Sequence, residues 1–531
     1  MRIRTHVNLL ICCLFLFSSI HASRMVGEWE PAWGTLIRWP LGIPISLVLE
    51  LTQDDTLYVL YETAGEMQNA TNSFQSWGVS LAKVQFIQTT TFSMWTRDWG
   101  PQCVFTDEGE LAVADPVFDG YPWVPGCMSL AEGAQSLNQI LQGNSQRQLQ
   151  RDYSDDDAIP ADVADYFNWP LVPVPAYVTG GNIMTDGEHR AFSTQQMLAE
   201  NAELAPEPQF LYHVEETMGL EDYHFLDNPE VYGIQHIDCY AKLLSPGTVL
   251  VKEVDSDHPE YHCCEELAVY FQQVPSAWNR PFDVQRIYCG RYNGNDVAAY
   301  TNSLILNDKV YVPLFDITAD EEALATYTEL MPGYEVIGFH FGTWYYYDAL
   351  HCRTMGIFDP GMLRLTHPHL DRIEMGGQDF ILPVTIKAHS NADLIEDSLQ
   401  VHWRLRHFDQ WEILPIQASA GIDSFTVDFP DFPLGTTFEY YLTAADNSGR
   451  TEHDPPAGFI TVNVGDMCYD SVMMDVSGDG LFNILDVIQV LNIILGQAEP
   501  DVCVLWTADP NLDSEINILD ILSIVQWILQ P

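Results

Sequence analysis

The last 65 residues contain an internal repeat that constrains their local structure more than any other feature of the sequence. The acidic pattern that begins at Asp475 recurs 34 residues later at Asp509, and both copies contain the tetrapeptide Asn-Ile-Leu-Asp. In each copy, oxygen-bearing side chains stand at positions 1, 3, 5, 9 and 12, which is the spacing of a calcium-binding loop. An apolar stripe with helical spacing follows each loop. The repeat therefore predicts two loop–helix units.

Ten side chains of these loops are the predicted calcium ligands. They are Asp475, Ser477, Asp479, Asn483, Asp486, Asp509, Asn511, Asp513, Asn517 and Asp520. Gly480 gives the first loop its sharp turn, whereas the second loop has Ser514 at that position. The pattern resembles that of dockerin domains, because one helix follows each loop and no entry helix precedes it. This resemblance implies that residues 467–531 form a small all-α domain with two structural Ca²⁺ ions and a cohesin-type scaffold as partner.

Residues 370–464 alternate between apolar and polar side chains, which is typical of half-buried strands. Turn-forming clusters such as residues 446–449 separate the runs. About 95 residues of short alternating strands predict a β-sandwich of the immunoglobulin or fibronectin type. The apolar positions of three runs are Leu399, Val401, Trp403 and Leu405; Phe425, Val427 and Phe429; and Phe438, Tyr440, Leu442 and Ala444.

Residues 25–368 mix short apolar runs with longer polar or helical stretches, which predicts an α/β domain. Five predicted strands start about 55 to 75 residues apart, and a period of that length suggests five ββαβ-like modules arranged in a ring. These strands are Leu57–Tyr61, Leu111–Ala114, Val172–Val178, Val249–Val251 and Val310–Leu314.

The chain carries 22 Lys and Arg against 75 Asp and Glu residues, a formal net charge of −53. A field of this sign repels phosphate backbones and anionic membrane surfaces, so nucleic acid is excluded as a partner. Cationic ligands such as guanidinium groups, amines and calcium are attracted. A surface adapted to salt or acid would give the same balance.

The first residues have the pattern of a secretion signal. Arg2 and Arg4 precede the apolar run Leu9–Phe17, and small residues follow, so we expect a signal peptide over residues 1–22. No later stretch reaches about 18 apolar residues, which predicts a secreted protein without a membrane span. Removal of the signal leaves nine of the 11 cysteines, an odd number that leaves one thiol over.

Five polar motifs in residues 25–368 are candidates for a reactive site. Each has a structural interpretation when taken alone, since an Asp can cap a turn and a Cys of a secreted protein usually forms a disulfide. The motifs are 95–101 (Trp-Thr-Arg-Asp-Trp-Gly-Pro), 180–182 (Gly-Gly-Asn), 235–238 (Gln-His-Ile-Asp, predicted to place His and Asp on one face of an extended segment), 300–303 (Tyr-Thr-Asn-Ser) and 350–354 (Leu-His-Cys-Arg-Thr).

In this order, and together with Glu28-Trp29-Glu30-Pro31 and with Lys242, these motifs resemble those of one family. It is the family of agmatine deiminases and bacterial secreted peptidyl-arginine deiminases, enzymes that modify guanidino groups, and the resemblance covers residues 25–365. It implies a five-bladed α/β propeller, the pentein fold, with the active site on its central axis. Secreted peptidyl-arginine deiminases also carry an immunoglobulin-like domain after the catalytic one.

The resemblance implies a role in guanidinium hydrolysis for each matching residue. Cys352 would be the nucleophile and His236 the general acid and base, and the bound cation or His236 would lower the pKa of the thiol. The mechanism requires no cofactor. The remaining assignments are Asp98 and Asp238, which grip the planar cation, Asn302, which helps to hold the thiol, and Trp95, Tyr232 and Asn182, which contact the substrate.

Secretion and the two added modules favour arginine in a peptide or protein as the substrate, and agmatine is the alternative within the family. Residues 115–128 contain no Arg or Lys. Because family members that take a C-terminal arginine hold the peptide carboxylate with arginines in this loop, its composition speaks against that preference.

Two further hypotheses are a thiol protease and a non-catalytic binding module that docks to a cohesin. Nothing around Cys352 matches a protease signature, and two carboxylates suit a cation better than an amide. The complete set of Asp98, His236, Asp238 and Cys352 argues against a degenerate site.

Eight cysteines remain in the mature chain once Cys352 is set aside, and all eight could pair, although Cys239 lies beside the predicted site. A bridge between Cys468 and Cys503 is one suggestion. The eight are Cys103, Cys127, Cys239, Cys263, Cys264, Cys289, Cys468 and Cys503.

Overall fold

The computed structural model describes most of the chain. The described residues are 23–127, 153–370, 372–373, 380–406, 408–433, 435–465, 472–478, 480–498, 500, 502–511 and 516–529. The predicted signal peptide, residues 1–22, lies outside them.

Residues 24–358 contain five sheets that share one plan. In each sheet one strand pairs antiparallel on one side and parallel on the other, and helical segments connect the parallel neighbours. The strands, in their order within each sheet, are Met355–Phe358, Ala32–Arg38, Thr56–Tyr61 and Val84–Gln88; Arg24–Met25, Gln102–Phe105, Leu111–Val117 and Leu171–Tyr177; Asp222–Leu226, Arg190–Thr194 and Met184–Thr185; Ala241–Ser245, Thr248–Glu253 and Asp283–Tyr288; and Leu304–Leu306, Lys309–Leu314 and Glu335–His340.

The first of these sheets joins the two ends of the region. Met355–Phe358 comes from the end of the region but pairs antiparallel with Ala32–Arg38 near its start. Two short strand pairs complete the β-structure, namely Val124–Pro125 with Tyr232–Gly233 and Arg291–Asn293 with Asp296–Val297.

Helices cover the sheets and end at residues suited to that position. Ala64–Trp77 follows Thr63, whose side chain accepts a hydrogen bond from the amide of Glu66, and the helix ends at Gly78 with a φ of 85°. The helices among the described residues of this region are Ile45–Asp54, Ala64–Trp77, Thr96–Trp99, Ser154–Asp157, Ile159–Phe167, Gln196–Asn201, Glu207–Met218, Tyr261–Phe271 and Ala319–Leu330.

The five predicted strands all exist, but they do not mark five different sheets. Two of them, in Leu111–Val117 and Leu171–Tyr177, belong to the same sheet. The sheet around Arg190–Thr194 was missed, because this strand is built from Arg, Ala, Phe, Ser and Thr and does not read as an apolar run, although four of its five residues are buried.

Residues 363–464 contain two further sheets with a common core. The predicted alternation is confirmed on Thr437–Ala445, where Phe438, Tyr440, Leu442 and Ala444 are at most 2% exposed. The strands are Leu363–Thr366, Phe380–Ala388, Ser424–Phe429 and Gln417–Ala418 in one sheet, and Arg372–Ile373, Ile460–Val464, Thr437–Ala445, Gln400–Leu405 and Glu412–Pro415 in the other, with Thr451–Asp454 also paired to Thr437–Ala445.

A buried carboxylate holds the loop after Leu363–Thr366 against this second sheet. Asp454 accepts hydrogen bonds from His367 Nδ1 at 2.6 Å and from His369 Nε2 at 2.8 Å. The other ring nitrogen of His367 contacts the hydroxyl of Tyr440 at 2.7 Å. The ring of His369 lies 4.6 Å from that of Trp278, so this cluster also contacts the five-sheet region.

The repeated C-terminal segment forms Ile484–Ile494 and Ile518–Ile528, with Val502–Thr507 between them. Both repeat helices start with the same capping box. Asn483 accepts a hydrogen bond from the amide of Leu485 at 2.8 Å, and its own amide donates to Asp486 at 2.8 Å. Asn517 makes the equivalent contacts in the second copy. The predicted helices are therefore present in both copies.

The prediction that all eight remaining cysteines could form disulfides is wrong. Cys127 and Cys263 form a disulfide, and Cys503 is disulfide-bonded, whereas its suggested partner Cys468 lies outside the described residues. Free buried thiols remain at Cys103, Cys239, Cys264, Cys289 and Cys352. Except for Cys352, they pack in the hydrophobic cores as small apolar side chains.

Among the described helices, none combines the length and the apolar character that a membrane crossing requires.

Candidate active site

Five short turns bring the predicted site residues together. Each turn lies immediately before the strand that pairs antiparallel with the central strand of one of the five sheets, so the common plan of the sheets places one turn per sheet at the same end. The turns and the strands that follow them are Thr96–Trp99 before Gln102–Phe105, Gly180–Asn182 before Met184–Thr185, Ile237–Cys239 before Ala241–Ser245, 299–302 before Leu304–Leu306, and His351–Arg353 before Met355–Phe358.

The thiol of Cys352 is buried and is held by its predicted neighbour Asn302. The side-chain amide of Asn302 donates to the sulfur at 3.2 Å, and its oxygen accepts from the amide of Cys352 at 3.3 Å. Asp238 Oδ2 lies 3.7 Å from the same sulfur. The structure therefore groups Cys352, Asn302 and Asp238 as the sequence predicted.

Asp98 lies in the same site, next to His236 and Gly181. Its Oδ1 accepts a hydrogen bond from the amide of Gly181 at 3.1 Å, and its Oδ2 accepts one from the hydroxyl of Tyr121 at 2.8 Å. Burial, with the nearby charge of Asp238, raises the pKa of Asp98 well above its usual range. The site thus contains a carboxyl group that resists ionisation in the substrate-free protein.

Gly181 leaves no room for a side chain among the polar groups of the candidate site. A Cβ at this position would lie 2.5 Å from Asp98 Oδ1, 2.9 Å from His236 Nδ1 and 3.2 Å from Asp238 Oδ2. The Gly-Gly-Asn motif is therefore explained mainly by the space that a side chain would take from three neighbours.

His236 lies in a tight turn and not in the extended segment that the sequence predicted. Gln235 has a φ of 60°, and a 3₁₀ turn follows over Ile237–Cys239. The side chains of His236 and Asp238 still meet in the site, because both lie within 3.2 Å of the position of a Cβ at Gly181. His236 Nδ1 also lies 3.5 Å from Asp98 Oδ1. Burial lowers the pKa of His236 to about 4, although Asp238 raises it. His236 is therefore neutral at pH 7.

The pKa of Cys352 contradicts the expectation that His236 lowers it in the resting protein. A contact from Cys239 lowers the pKa, but burial and the charges of Asp238 and Asp98 raise it, and the balance is a pKa of about 12. A neutral His236 supplies no positive charge to offset the two carboxylates. The thiolate thus needs a cation from elsewhere.

Of the three predicted substrate contacts, two are aromatic side chains that remain partly or largely exposed, and the third, Asn182, is buried. Trp95 is half-buried and packs edge-on against Tyr121, with ring centroids 5.0 Å apart, which links it to Asp98. Tyr232 is 55% exposed and lies at the rim, 5.8 Å from the ring of Trp123. Asn182 is buried, and its side-chain oxygen accepts from the amides of Thr194 and Ile237 at 3.1 and 3.2 Å, so it ties the turns together.

Sequence reasoning missed three aromatic side chains of the site. Tyr121 donates to Asp98, and Trp123 packs edge-on against Tyr347, whose carbonyl oxygen lies 4.0 Å from the Cys352 sulfur. Tyr121 and Trp123 lie in residues 115–128, whose lack of Arg and Lys gives no hint of an aromatic contribution to the site. Tyr347 could have been suspected from its place five residues before Cys352.

The first C-terminal loop turns two of its predicted calcium ligands inward. Asp475 Oδ2 accepts from the amide of Gly480 at 2.8 Å, and Asp486 Oδ1 accepts from the amide of Ser477 at 2.9 Å. Both residues carry carboxylate oxygens, at loop positions 1 and 12, and these are ligands of the kind that Ca²⁺ prefers. Asp509 and Asp520 are likewise buried in the second loop. Asp479 and Asp513 lie outside the described residues.

Comparison with known proteins connects the five-sheet region to one family. The family model of the Porphyromonas-type peptidyl-arginine deiminases matches residues 24–357. An agmatine deiminase of Pseudomonas aeruginosa (strain UCBPP-PA14) is 24% identical over 359 residues, which cover 59% of this chain and 89% of that protein.

Two solved structures share the fold. The agmatine deiminase of Enterococcus faecalis aligns with a TM-score of 0.53 at 18% identity, covering 64% of this chain and 96% of that one. A substrate-bound agmatine deiminase of C. jejuni aligns with a TM-score of 0.50 at 17% identity, covering 64% of this chain and 97% of that one.

The match to the family model spans well over half of the chain and ends just after the turn that carries Cys352. The resemblance inferred from the motifs is therefore confirmed at the level of the family. This chain belongs to the Porphyromonas-type peptidyl-arginine deiminase family, and it is a hydrolase that acts on carbon–nitrogen bonds of guanidino groups.

Proposed function

We propose that this protein converts the guanidinium group of peptidyl-arginine into a ureido group, giving citrulline and ammonia. The observation that carries the proposal is the pair of buried carboxylates beside a buried thiol. Asp238 lies 3.7 Å from the Cys352 sulfur, and Asp98 is close enough to raise the pKa of that thiol. Two such carboxylates can bind the planar cation through its N–H groups.

Binding of the substrate places a positive charge between Asp98 and Asp238. Because Asp98 and Asp238 raise the pKa of Cys352, a guanidinium bound between them lowers that pKa again, and the thiolate forms only when substrate is present. The sulfur then attacks the guanidinium carbon and a carbon–sulfur bond forms.

His236 is the proton carrier of the proposed reaction. As a neutral imidazole it takes the thiol proton and passes it to the departing nitrogen, so ammonia leaves as the carbon–nitrogen bond breaks. A water molecule then attacks the thiouronium carbon and gives up one proton to His236. As the carbon–sulfur bond breaks, the second proton of that water goes to the leaving sulfur, which restores the Cys352 thiol, and His236 releases its proton to solvent. One water is consumed and one ammonia is released per turnover, without a cofactor.

An arginine within a peptide is the substrate that the surroundings of the site favour. The rim carries Trp123 and the exposed Tyr232, which offer flat apolar surface to flanking residues, and residues 115–128 offer no cation for a terminal carboxylate. We therefore expect internal arginines to be preferred over C-terminal ones. Agmatine is the second candidate, because the Pseudomonas aeruginosa and Enterococcus faecalis relatives are named agmatine deiminases, and its product would be N-carbamoylputrescine.

The same proposal covers the rest of the chain. We take the five sheets as the blades of an α/β propeller, the two sheets of residues 363–464 as an immunoglobulin-like sandwich, and the C-terminal segment as a dockerin-like domain. Export is supported by the signal-like start of the sequence and by the Cys127–Cys263 disulfide, since disulfides persist in oxidising compartments.

A cohesin-type partner is supported by apolar surface that recurs in both C-terminal helices. Leu485 and Leu519, which are equivalent in the repeat, are 49% and 53% exposed, and Ile484 and Ile518 are 63% and 61% exposed. Exposed apolar patches of this kind mark interaction surfaces. Two Ca²⁺ ions would order the loops that hold these helices, and chelation is expected to lower the melting temperature of this segment without changing turnover.

The test compares the mature protein with Cys352→Ala in a colorimetric assay for ureido products. An internal-arginine peptide, a C-terminal-arginine peptide, agmatine and free arginine are offered in parallel. We expect product from the internal-arginine peptide and none from the variant. Product from agmatine alone would replace the proposal by the second candidate. If no substrate reacts and a haloacetamidine probe leaves Cys352 unlabelled, the protein is a binding module.

A further inference from the structure

His351, the residue before the nucleophile, bridges two carboxylates. Its Nδ1 lies 2.8 Å from Asp238 Oδ2, and its Nε2 lies 2.8 Å from Glu28 Oε2. A neutral imidazole has one N–H and can donate to only one of them. Both contacts are hydrogen bonds only when the ring is an imidazolium, so the geometry favours a positive charge at His351.

Glu28 is fixed from its other side. Its Oε1 accepts hydrogen bonds from Lys242 Nζ at 2.6 Å and from the amide of Ile305 at 2.8 Å, and Lys242 also donates to the carbonyl oxygen of Ser303 at 2.6 Å. Burial raises the pKa of Glu28, but Lys242 and His351 lower it further, to well below its usual range. An ionised, immobile Glu28 is the acceptor that a charged His351 needs.

The two carboxylates of the site differ in a way that follows from this arrangement. Burial raises the pKa of Asp238, but the hydrogen bond and charge of His351 outweigh it, with smaller contributions from His236 and Arg97, so the pKa ends below its usual range. Asp98 has no such partner, and its pKa is raised. If both carboxyl groups held protons, neither would attract a guanidinium.

We propose that Glu28 and His351 are positioning residues, which place a fixed positive charge behind Asp238 and so keep that carboxylate ionised and aimed at the substrate. His351 occupies one oxygen of Asp238, the same Oδ2 that lies 3.7 Å from the Cys352 sulfur. Asp238 is thereby held in one orientation beside the nucleophile. The inference rests on guanidino hydrolysis by this site and holds for peptidyl-arginine and agmatine alike.

The test is His351→Asn, in which the shorter amide offers a donor but no charge. Because hydrogen bonds to charged groups are worth about ten- to a hundred-fold in an equilibrium constant, we expect kcat/KM to fall by about that factor, mainly through KM. The acid limb of the kcat/KM profile should move to higher pH, since Asp238 then takes up a proton more easily. Glu28→Gln should shift the limb in the same direction by a smaller amount.

His367→Asn is the matched control, because His367 is also a buried histidine that bridges a carboxylate and a second polar group, but outside the active site. It should leave the pH profile unchanged even if it lowers stability. In His351→Ala, added imidazole should restore part of the lost kcat/KM. A folded His351→Asn with wild-type KM and acid limb would overturn the proposal.

A second measurement needs no folded variant at His351. The ring nitrogens of the wild-type histidines are observed by NMR at pH 7.5, where we expect the two N–H signals of a His351 that donates to both Asp238 and Glu28, and we expect these signals to change in Glu28→Gln. A neutral His351 would overturn the proposal even if the enzyme is fully active. Conversely, an inactive wild-type protein with a charged His351 would count against the proposed function and not against this charge arrangement.

Discussion

Asp98 and Asp454 are both buried carboxyl groups with histidine neighbours, but one lies in the active site and the other between the sheets of residues 363–464. They are 2% and 6% exposed. Asp454 receives a histidine N–H on each oxygen, at 2.6 and 2.8 Å. Asp98 has its nearest histidine nitrogen at 3.5 Å and is held by a tyrosine hydroxyl and a backbone amide instead.

The two carboxyl groups are similarly buried, but their pKa values are shifted in opposite directions. Burial raises the pKa of Asp454, but His367 and His369 lower it further, so it ends well below its usual range. For Asp98, burial and the charge of Asp238 both raise the pKa. A structural site satisfies its buried charge internally, whereas this active site leaves one charge without a cation, and a guanidinium substrate can supply it.

The largest effect is expected when the active-site carboxylate of the pair is replaced by an amide. Asp98→Asn removes a carboxylate that binds the guanidinium of the substrate, so kcat/KM should fall by about 10³-fold. The free energy of unfolding should stay close to that of the wild type, because Asp98 has no buried cation to lose. Steady-state kinetics and urea unfolding of one preparation test both points. A large loss of stability would show that Asp98 is structurally compensated after all.

Asp454→Asn should have the opposite outcome. Removing one partner of a buried pair costs about 3 kcal/mol, so the free energy of unfolding should fall by that amount, while kcat/KM measured well below the melting temperature stays unchanged. Folding lowers the pKa of Asp454 below the unfolded value of about 3.9, so its contribution is present above that pH and is lost as pH falls further. Urea unfolding at pH 7 and pH 3 should show a smaller difference between variant and wild type at pH 3. An equal difference at both pH values would contradict this assignment.

The sequence was informative about the residues that meet in the candidate site and much less so about the residues that surround them. Cys352, His236, Asp98 and Asp238 were identified from local motifs, and the five turns explain why motifs so far apart meet. The bond between His351 and Glu28 spans 323 positions of the chain and leaves no local pattern. Contacts of this kind depend on how the sheets are arranged, which alternation and spacing do not specify.

Gly181 offers a steric test of how closely the active-site groups must approach. In Gly181→Ala the new Cβ would come 2.5 Å from Asp98 Oδ1, so the turn has to shift and the carboxylate with it. Displacement of a catalytic group by a fraction of an ångström to one ångström costs about 10²-fold, which is the expected loss in kcat/KM. Gly342→Ala is the control, because a Cβ there meets nothing within 4 Å. Equal activity of the two variants would show that the turn tolerates a side chain.

The smallest expected effect is the number of protons released when substrate binds. It measures most directly whether Asp98 has no cationic partner in the free protein. Because the pKa of Asp98 is raised in the free protein, this carboxyl group holds its proton to higher pH than an ordinary one, and a bound guanidinium should expel it. Calorimetric titration of Cys352→Ala with substrate, repeated in buffers of different ionisation enthalpy, should reveal release of up to about one proton per site. Asp98→Asn in the same background should release less. If Cys352→Ala binds substrate without releasing protons both with and without Asp98→Asn, Asp98 is already ionised in the free enzyme. Asp98 and Asp454 would then differ in their hydrogen-bond geometry but not in their charge.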